Sequence, residues 1–199
     1  MKTSSFCIAA FALAAGLAGC AHVDQADNPA AAEVAPPRPE LAYVWNPELS
    51  PVGPLKIDIY PDRNRLYVFR NGIQIGTSTL SAGKEGHNTP PGNYSILQKE
   101  INHRSNLYGS FVDSTSGLIV KRDANSKDVA PPGSVFQGAL MPHFLRLTND
   151  GVGLHAGELP GFNASHGCIR LPGSFARLLY EAAPMGTPVT VTSDLTFVQ

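Results

Sequence analysis

The chain has 199 residues, and its 15 lysine and arginine residues nearly balance its 16 aspartate and glutamate residues. A net charge of −1 gives no basic surface of the kind that binds nucleic acid, so we expect no nucleic-acid partner. Glycine (19) and proline (17) are frequent, whereas charged residues make up only 16% of the chain. This composition favours a loop-rich β domain over a helical bundle, and the length fits one domain.

The amino terminus has the pattern of an export signal. An apolar run at residues 6–17 is too short to span a bilayer well, and it is followed by Ala18-Gly19-Cys20. This end resembles a bacterial lipobox, so we predict a lipoprotein-type signal peptide at residues 1–19 and a lipid on Cys20. Ala21 in the next position favours the outer membrane, facing the periplasm. The alternative is an ordinary signal peptide, with Cys20 incidental.

Residues 20–53 are predicted to form a flexible tether. Residues 28–39 are rich in proline and alanine and contain little that could be buried in a core. Such a spacer would let a domain reach away from the membrane that anchors it. We predict that a catalytic domain follows at residues 54–194.

The rest of the chain predicts many short strands and one helix. Residues 65–70 alternate in polarity, and Asn71-Gly72 after them is a strong signal for a hairpin. Residues 173–183 have apolar side chains at helical spacing, and Pro184 ends the pattern. The predicted strands are 55–60, 65–70, 73–80, 92–98, 144–147, 152–155 and 188–192. We therefore expect a mostly β fold, a sandwich or barrel-like domain with one or two short helices.

One long stretch, about residues 101–143, shows no clear periodicity. A segment of that length without regular structure inside a compact domain usually has a function. We interpret it as a lid loop over a binding site.

The cysteine count draws attention to one thiol. Of the three cysteines, Cys7 would leave with the signal peptide and Cys20 would carry lipid. Cys168 would then have no intramolecular partner in an oxidising compartment, which indicates a reactive thiol or an intermolecular disulfide. A buried, inert cysteine is the alternative.

Two histidines accompany this thiol, at positions 155 and 166. An imidazole can activate a thiol by forming a thiolate–imidazolium pair, and Gly167 permits the turn that such a nucleophile needs. If the segment is extended, Arg170 lies on the same face as Cys168, where a fixed cation suits an anionic substrate. Spacing alone does not decide which histidine is the base. The same three residue types could also bind zinc, although no fourth ligand accompanies them.

The run Ser165-His166-Gly167-Cys168-Ile169-Arg170-Leu171, preceded by His155, resembles the signature of the YkuD-type L,D-transpeptidase catalytic domain. The runs at residues 89–92, 141–144 and 153–157 resemble other parts of that family, so the likeness covers about residues 54–194. The gap of eleven positions between the two histidines is shorter than in many members. Ala156 also stands where glycine is common.

The resemblance implies a mechanism and a role for each residue. Cys168 would attack the carbonyl of the third residue in a peptidoglycan tetrapeptide stem, with His155 as its base. The Ala156 carbonyl would hold the second ring nitrogen of His155, while His166 would shape the site. The amides of Gly167 and Cys168 would stabilise the oxyanion. Residues expected at the substrate are Arg170, Ser165, Ala156 and His143.

The acyl acceptor stays open at this point. It could be the amine of a second stem peptide, an envelope protein, or water, and with water the enzyme would be an L,D-carboxypeptidase or an amidase. A non-catalytic lipoprotein that binds peptidoglycan is the alternative from another class. We expect no metal ion and no organic cofactor.

Overall fold

The computed structural model describes residues 42–193. Its helix α1 spans Gly173–Ala182, and two short 3₁₀ turns lie at Pro47–Leu49 and Pro61–Arg63. The strands are β1 (Tyr43–Trp45), β2 (Leu55–Tyr60), β3 (Arg65–Arg70), β4 (Ile73–Thr79), β5 (Gly92–Ser95), β6 (Gln98–Asp113), β7 (Ile119–Asn125), β8 (Ser134–Arg146), β9 (Gly153–Ala156), β10 (Ile169–Leu171) and β11 (Pro188–Val191). The expected mostly β fold with a short helix is confirmed.

The strands form two sheets. The first has the order β1-β4-β3-β2-β11-β5, and the second has the order β10-β9-β8-β6-β7. Both sheets and α1 contribute to one apolar core, which includes Ile57, Leu66, Leu154, Ile169 and Phe175. In β2 the residues alternate between buried and more exposed positions, which is why its polarity pattern predicted the strand correctly.

The hairpin between β3 and β4 turns at Asn71 and Gly72, as the sequence predicts. Their φ angles are +51° and +76°. A two-residue hairpin of the type I′ class requires positive φ at both central positions, and asparagine and glycine accept it best.

The ordered domain begins before residue 54, where the sequence analysis placed its start. Strand β1 pairs antiparallel with β4, and the ring of Trp45 packs edge-on against Phe175 of α1, with centroids 5.6 Å apart. Aromatic burial and a backbone ladder therefore hold a segment that was assigned to the tether. The predicted signal peptide and the proline-rich part of the tether lie outside the described residues.

The prediction of an irregular lid loop at residues 101–143 is wrong. This segment consists of most of β6, all of β7 and most of β8, and β6 pairs with β8 from Gln98↔Arg146 to Asp113↔Ser134. Backbone pairing forms these strands although few of their side chains are buried, so their sequence lacks the clear pattern of one apolar face. The base of this long β-ribbon nevertheless lines the cavity described below.

Within the described residues, no helix has the length and apolar character needed to cross a lipid bilayer.

Candidate active site

The pairing of β9 with β10 brings the predicted site residues together. These strands run parallel, and the register sets Arg170 beside His155 and Ile169 beside Leu154. Paired residues of neighbouring strands point to the same face of a sheet. Cys168 immediately precedes β10, so residues distant in the chain meet at one edge of the second sheet.

A cavity of about 500 Å³ opens at this edge. Cys168, His155, His166, Ser165 and Arg170 all line it. The other wall comes from the base of the β-ribbon, where residues 103–108 and 139–141 face the same space. The structure thus joins the cysteine-centred run to a segment about sixty residues earlier in the chain.

His155 is held in one tautomer. Its side chain is buried, with the residue 6% exposed, and its Nδ1 lies 2.8 Å from the Ala156 carbonyl oxygen. Since a carbonyl only accepts hydrogen bonds, Nδ1 carries the proton and Nε2 keeps its lone pair. Burial lowers the pKa of His155 from 6.5 to about 4, and the charges of Arg170 and His103 act in the same direction. The imidazole is therefore neutral at pH 7.

The Cys168 thiol is also neutral in this state. Burial raises the pKa of Cys168, while a backbone hydrogen bond from Gly153 and the charges of Arg170 and Arg146 oppose the rise. The Sγ atom lies 3.5 Å from the Gly151 carbonyl oxygen, to which the thiol donates. The site at rest does not hold the thiolate–imidazolium pair that the sequence analysis anticipated, because burial penalises both charges.

Ser165 braces the loop that carries the thiol. Its hydroxyl donates to the Cys168 carbonyl at 2.5 Å and accepts from the Gly167 N–H at 3.1 Å. The residue is 2% exposed, so its one hydroxyl proton is committed to the loop instead of a substrate. The Gly167 N–H is likewise bonded to the Ser165 hydroxyl. The predicted contact of Ser165 with a substrate and the predicted role of the Gly167 amide at an oxyanion stay predictions.

Thr89 is a second brace for this loop. Its hydroxyl donates to the Gly167 carbonyl at 2.8 Å and accepts from the Gly83 N–H at 3.0 Å. A Cβ on Gly83 would lie 2.0 Å from the His87 carbonyl oxygen, so only glycine fits this turn. The turn at residues 89–92 therefore holds the Cys168 loop in place through the bond from Thr89 to the Gly167 carbonyl. The sequence did not reveal this role.

His166 forms part of the cavity wall. Its ring stacks on Tyr108 with centroids 4.3 Å apart, and His87 packs edge-on against it at 4.8 Å. Burial lowers the pKa of His166, and the nearby charges of Lys84 and His87 add to this effect. The stacking joins the loop of Cys168 to the β-ribbon across the cavity.

Two predicted substrate contacts lie elsewhere. His143 does not line the cavity; its ring packs against Tyr180 of α1, with centroids 5.7 Å apart. Its φ of +57° lies in the left-handed region, although the residue is within β8. Ala156 is also absent from the cavity lining, and its carbonyl accepts the hydrogen bond from His155.

Arg146 and His103 line the cavity and were not singled out from the sequence. The Arg146 Nε donates to Gln98 Oε1 at 2.7 Å, and its guanidinium lies 5.2 Å above the ring of Phe144. No carboxylate pairs with Arg146 or Arg170 within residues 42–193. Arg146 lies on β8 and Arg170 on β10, on either side of β9 in the folded sheet, so the sequence carried no local signal for them as a pair.

A metal centre finds no support in the arrangement. Among the described residues, no group of three or more His, Cys, Asp or Glu side chains is placed to hold an ion.

Comparisons with known proteins agree with this geometry. Residues 54–191 match the family model described as YkuD, L,D-transpeptidase catalytic domain. "Probable L,D-transpeptidase 3" of Mycobacterium tuberculosis is 29% identical over 123 residues, which cover 58% of this chain and 38% of that protein. The chain therefore matches well under half of that relative's length.

Solved structures show the same fold. An L,D-transpeptidase from Mycobacterium smegmatis superposes with a TM-score of 0.54 at 23% identity, covering 69% of this chain and 58% of that one. The L,D-transpeptidase LdtMt1 in complex with imipenem gives 0.52 at 24% identity, with 69% and 58% covered. Because the family model matches more than half of the chain, this chain belongs to the YkuD family and contains an L,D-transpeptidase catalytic domain.

Proposed function

We propose that this protein is a peptidoglycan-modifying cysteine acyltransferase. Cys168 attacks the carbonyl of the third residue in a tetrapeptide stem, the terminal residue leaves, and the acyl group passes to an amine acceptor. The observation that carries the proposal is a partly buried thiol in one cavity with a histidine whose Nδ1 is fixed 2.8 Å from a carbonyl. That arrangement leaves a lone pair on Nε2 to accept a proton.

The neutral resting state suggests how the thiol is activated. Because burial disfavours both the thiolate and the imidazolium, proton transfer from Cys168 to His155 belongs to the step in which sulfur attacks the carbonyl. The imidazolium then gives its proton to the leaving amine. A short-lived ion pair in a poorly solvated cavity returns readily to neutrality, which favours the second transfer.

The charges around the cavity favour an anionic stem peptide. The guanidinium groups of Arg146 and Arg170 lie near the Cys168 sulfur, where their charges lower the pKa of the thiol. Stem peptides carry free carboxylates, which arginine binds well. The Cys168 amide remains the backbone donor for the oxyanion, since the Gly167 amide bonds to Ser165.

The location of the protein is part of the proposal. The lipobox-like run ending at Cys20 and the proline-rich stretch after it favour an outer-membrane lipoprotein whose domain reaches peptidoglycan from the periplasmic side. Metabolic labelling with a palmitate analogue should mark the wild type and leave a Cys20→Ala variant unlabelled. Labelling of both proteins would refute the anchor.

The enzymatic proposal is tested with purified protein, disaccharide-tetrapeptide and mass spectrometry. The wild type should release the terminal residue and form crosslinked dimers, and imipenem should add its mass at Cys168. A Cys168→Ala variant should do neither, while a Ser174→Ala variant on the exposed side of α1 should match the wild type. Turnover by Cys168→Ala would refute the proposal, and tripeptide without dimers would identify water as the acceptor.

The rate at which iodoacetamide alkylates Cys168 does not distinguish an enzyme from a binding protein. Burial raises the pKa of the Cys168 thiol, so slow reaction with iodoacetamide is expected even if the residue is the nucleophile. Acylation by imipenem is the more informative test because it also requires the base and the oxyanion donor.

A further inference from the structure

An imidazole–carboxylate pair lies at the cavity, where His103 forms part of the lining. The Nδ1 of His103 lies 2.8 Å from Glu100 Oε2, and the His103 side chain is 16% exposed whereas that of Glu100 is 44% exposed. A carboxylate accepts the Nδ1 proton, which leaves Nε2 as the nitrogen that can take up or release another proton. This Nε2 bonds to no described residue and is not among the buried polar atoms that lack a partner.

The orientation of His103 is fixed on its second side by Phe144. The two rings stack with centroids 4.2 Å apart and an interplanar angle of 12°. Phe144 is fully buried and packs closely on Gly153, where an added Cβ would lie 2.5 Å from its ring. The backbone of Gly153 also lowers the pKa of the Cys168 thiol. Phe144 therefore packs between His103 and the strand that runs past the thiol.

His103 also lies close to His155. Both line the same cavity, and His103 is one of the groups whose electrostatic interaction lowers the pKa of His155. The two imidazoles differ in their surroundings. His155 is buried against a carbonyl, whereas His103 has a carboxylate partner that reaches solvent.

The chemistry of an amine acceptor requires two proton acceptors. An alkylammonium group keeps its proton up to about pH 10, so it must lose one proton before it can attack the thioester. The attacking nitrogen loses a second proton as the amide forms. His155 is suited to the second proton, which it returns to the sulfur of Cys168 as the thiol departs.

We propose that the Glu100–His103 pair is the general base that deprotonates the acceptor ammonium. The His103 Nε2 takes the first proton, and the free amine then attacks the acyl carbon on Cys168. The C–S bond breaks, an amide bond forms, and the second proton passes through His155 to the thiolate. The first proton leaves His103 for solvent beside Glu100. This inference rests on the proposed function and assigns an amine as the acceptor, because water needs no prior deprotonation of this kind.

The test compares acceptors that differ in charge. The full-length chain is given disaccharide-tetrapeptide as the donor, with either a second stem peptide or hydroxylamine, which is uncharged at neutral pH, as the acceptor. In His103→Gln, dimer formation should fall by about 10²-fold, the usual contribution of a general base. Hydroxamate, free tripeptide and imipenem acylation at Cys168 should change little. Glu100→Gln should reduce dimer formation in the same direction but less.

The control variant is Arg122→Gln, which removes a charged side chain from an exposed position of the paired strand β7 that does not line the cavity. It should form dimers as the wild type does. Unchanged dimer formation in both His103→Gln and Glu100→Gln would refute the inference, as would an equal loss of dimer and hydroxamate in both. A wild type that is acylated but yields only tripeptide would refute it too. A wild type that is not acylated at Cys168 would refute the proposed function itself.

Discussion

Burial of His155 should make the stability of the domain depend on pH in a narrow range. The pKa of His155 falls from 6.5 in the unfolded chain to about 4 in the folded protein. Between these values the unfolded state binds more protons, so the free energy of unfolding decreases as the pH falls through this window. At about 1.4 kcal/mol per pH unit, the loss approaches about 3 kcal/mol at pH 4, and none of it is present above pH 7.

A His155→Gln variant isolates this contribution. Glutamine does not titrate, and its amide N–H can keep the hydrogen bond to the Ala156 carbonyl. Urea denaturation from pH 7 to pH 4 gives the free energy of unfolding of both proteins, and the carboxylates common to both cancel in the difference. The advantage of the wild type over the variant should shrink by about 3 kcal/mol across this range. Parallel curves would contradict the assignment of a buried, neutral imidazole.

Three further changes test the framework of the site. Ser165→Ala removes hydrogen bonds of 2.5 and 3.1 Å to the cysteine loop and should lower the free energy of unfolding in urea by about 2 kcal/mol; an unchanged midpoint would contradict the brace. Gly83→Ala sets a Cβ 2.0 Å from a backbone oxygen and should lower the free energy of unfolding by about 3 kcal/mol. The control Gly86→Ala, whose Cβ meets no atom, should lower it by about 1 kcal/mol. Equal losses in the two variants would contradict the steric argument. Trp45→Ala should lower the thermal midpoint by several degrees, because about 2 kcal/mol of aromatic packing is lost. Val44→Ala, at an exposed position of the same strand, is the matched control. Equal shifts in the two variants would show that the Trp45 ring adds no packing energy.

The sequence predicted best the longer strands that have one buried face. Strands β2 and β3 were placed at their observed bounds because alternation records which side chains enter the core. The β-ribbon of β6 and β8 was missed, since backbone pairing between strands exposed on both faces leaves no such record. Strand β1 was missed for a related reason, because three residues are too few to show a period.

The site was predictable only where it is local in sequence. The run around Cys168 can be recognised from its own residues, and the family resemblance implied that the Ala156 carbonyl is the partner of His155. The braces from Ser165 and Thr89, and the cavity positions of Arg146 and His103, depend on which strands become neighbours. That information lies in the order of the two sheets, which no single segment of the chain encodes.

The position of β11 also constrains how the protein can be made. This strand enters the first sheet between β2 and β5, parallel to the former and antiparallel to the latter. The first sheet therefore stays incomplete between β2 and β5 until residues near 190 have been synthesised, although its other strands are made earlier. A chain with such long-range pairing folds slowly and late. This delay should keep the growing chain without its complete first sheet, and so open to unfolding, until synthesis is nearly finished.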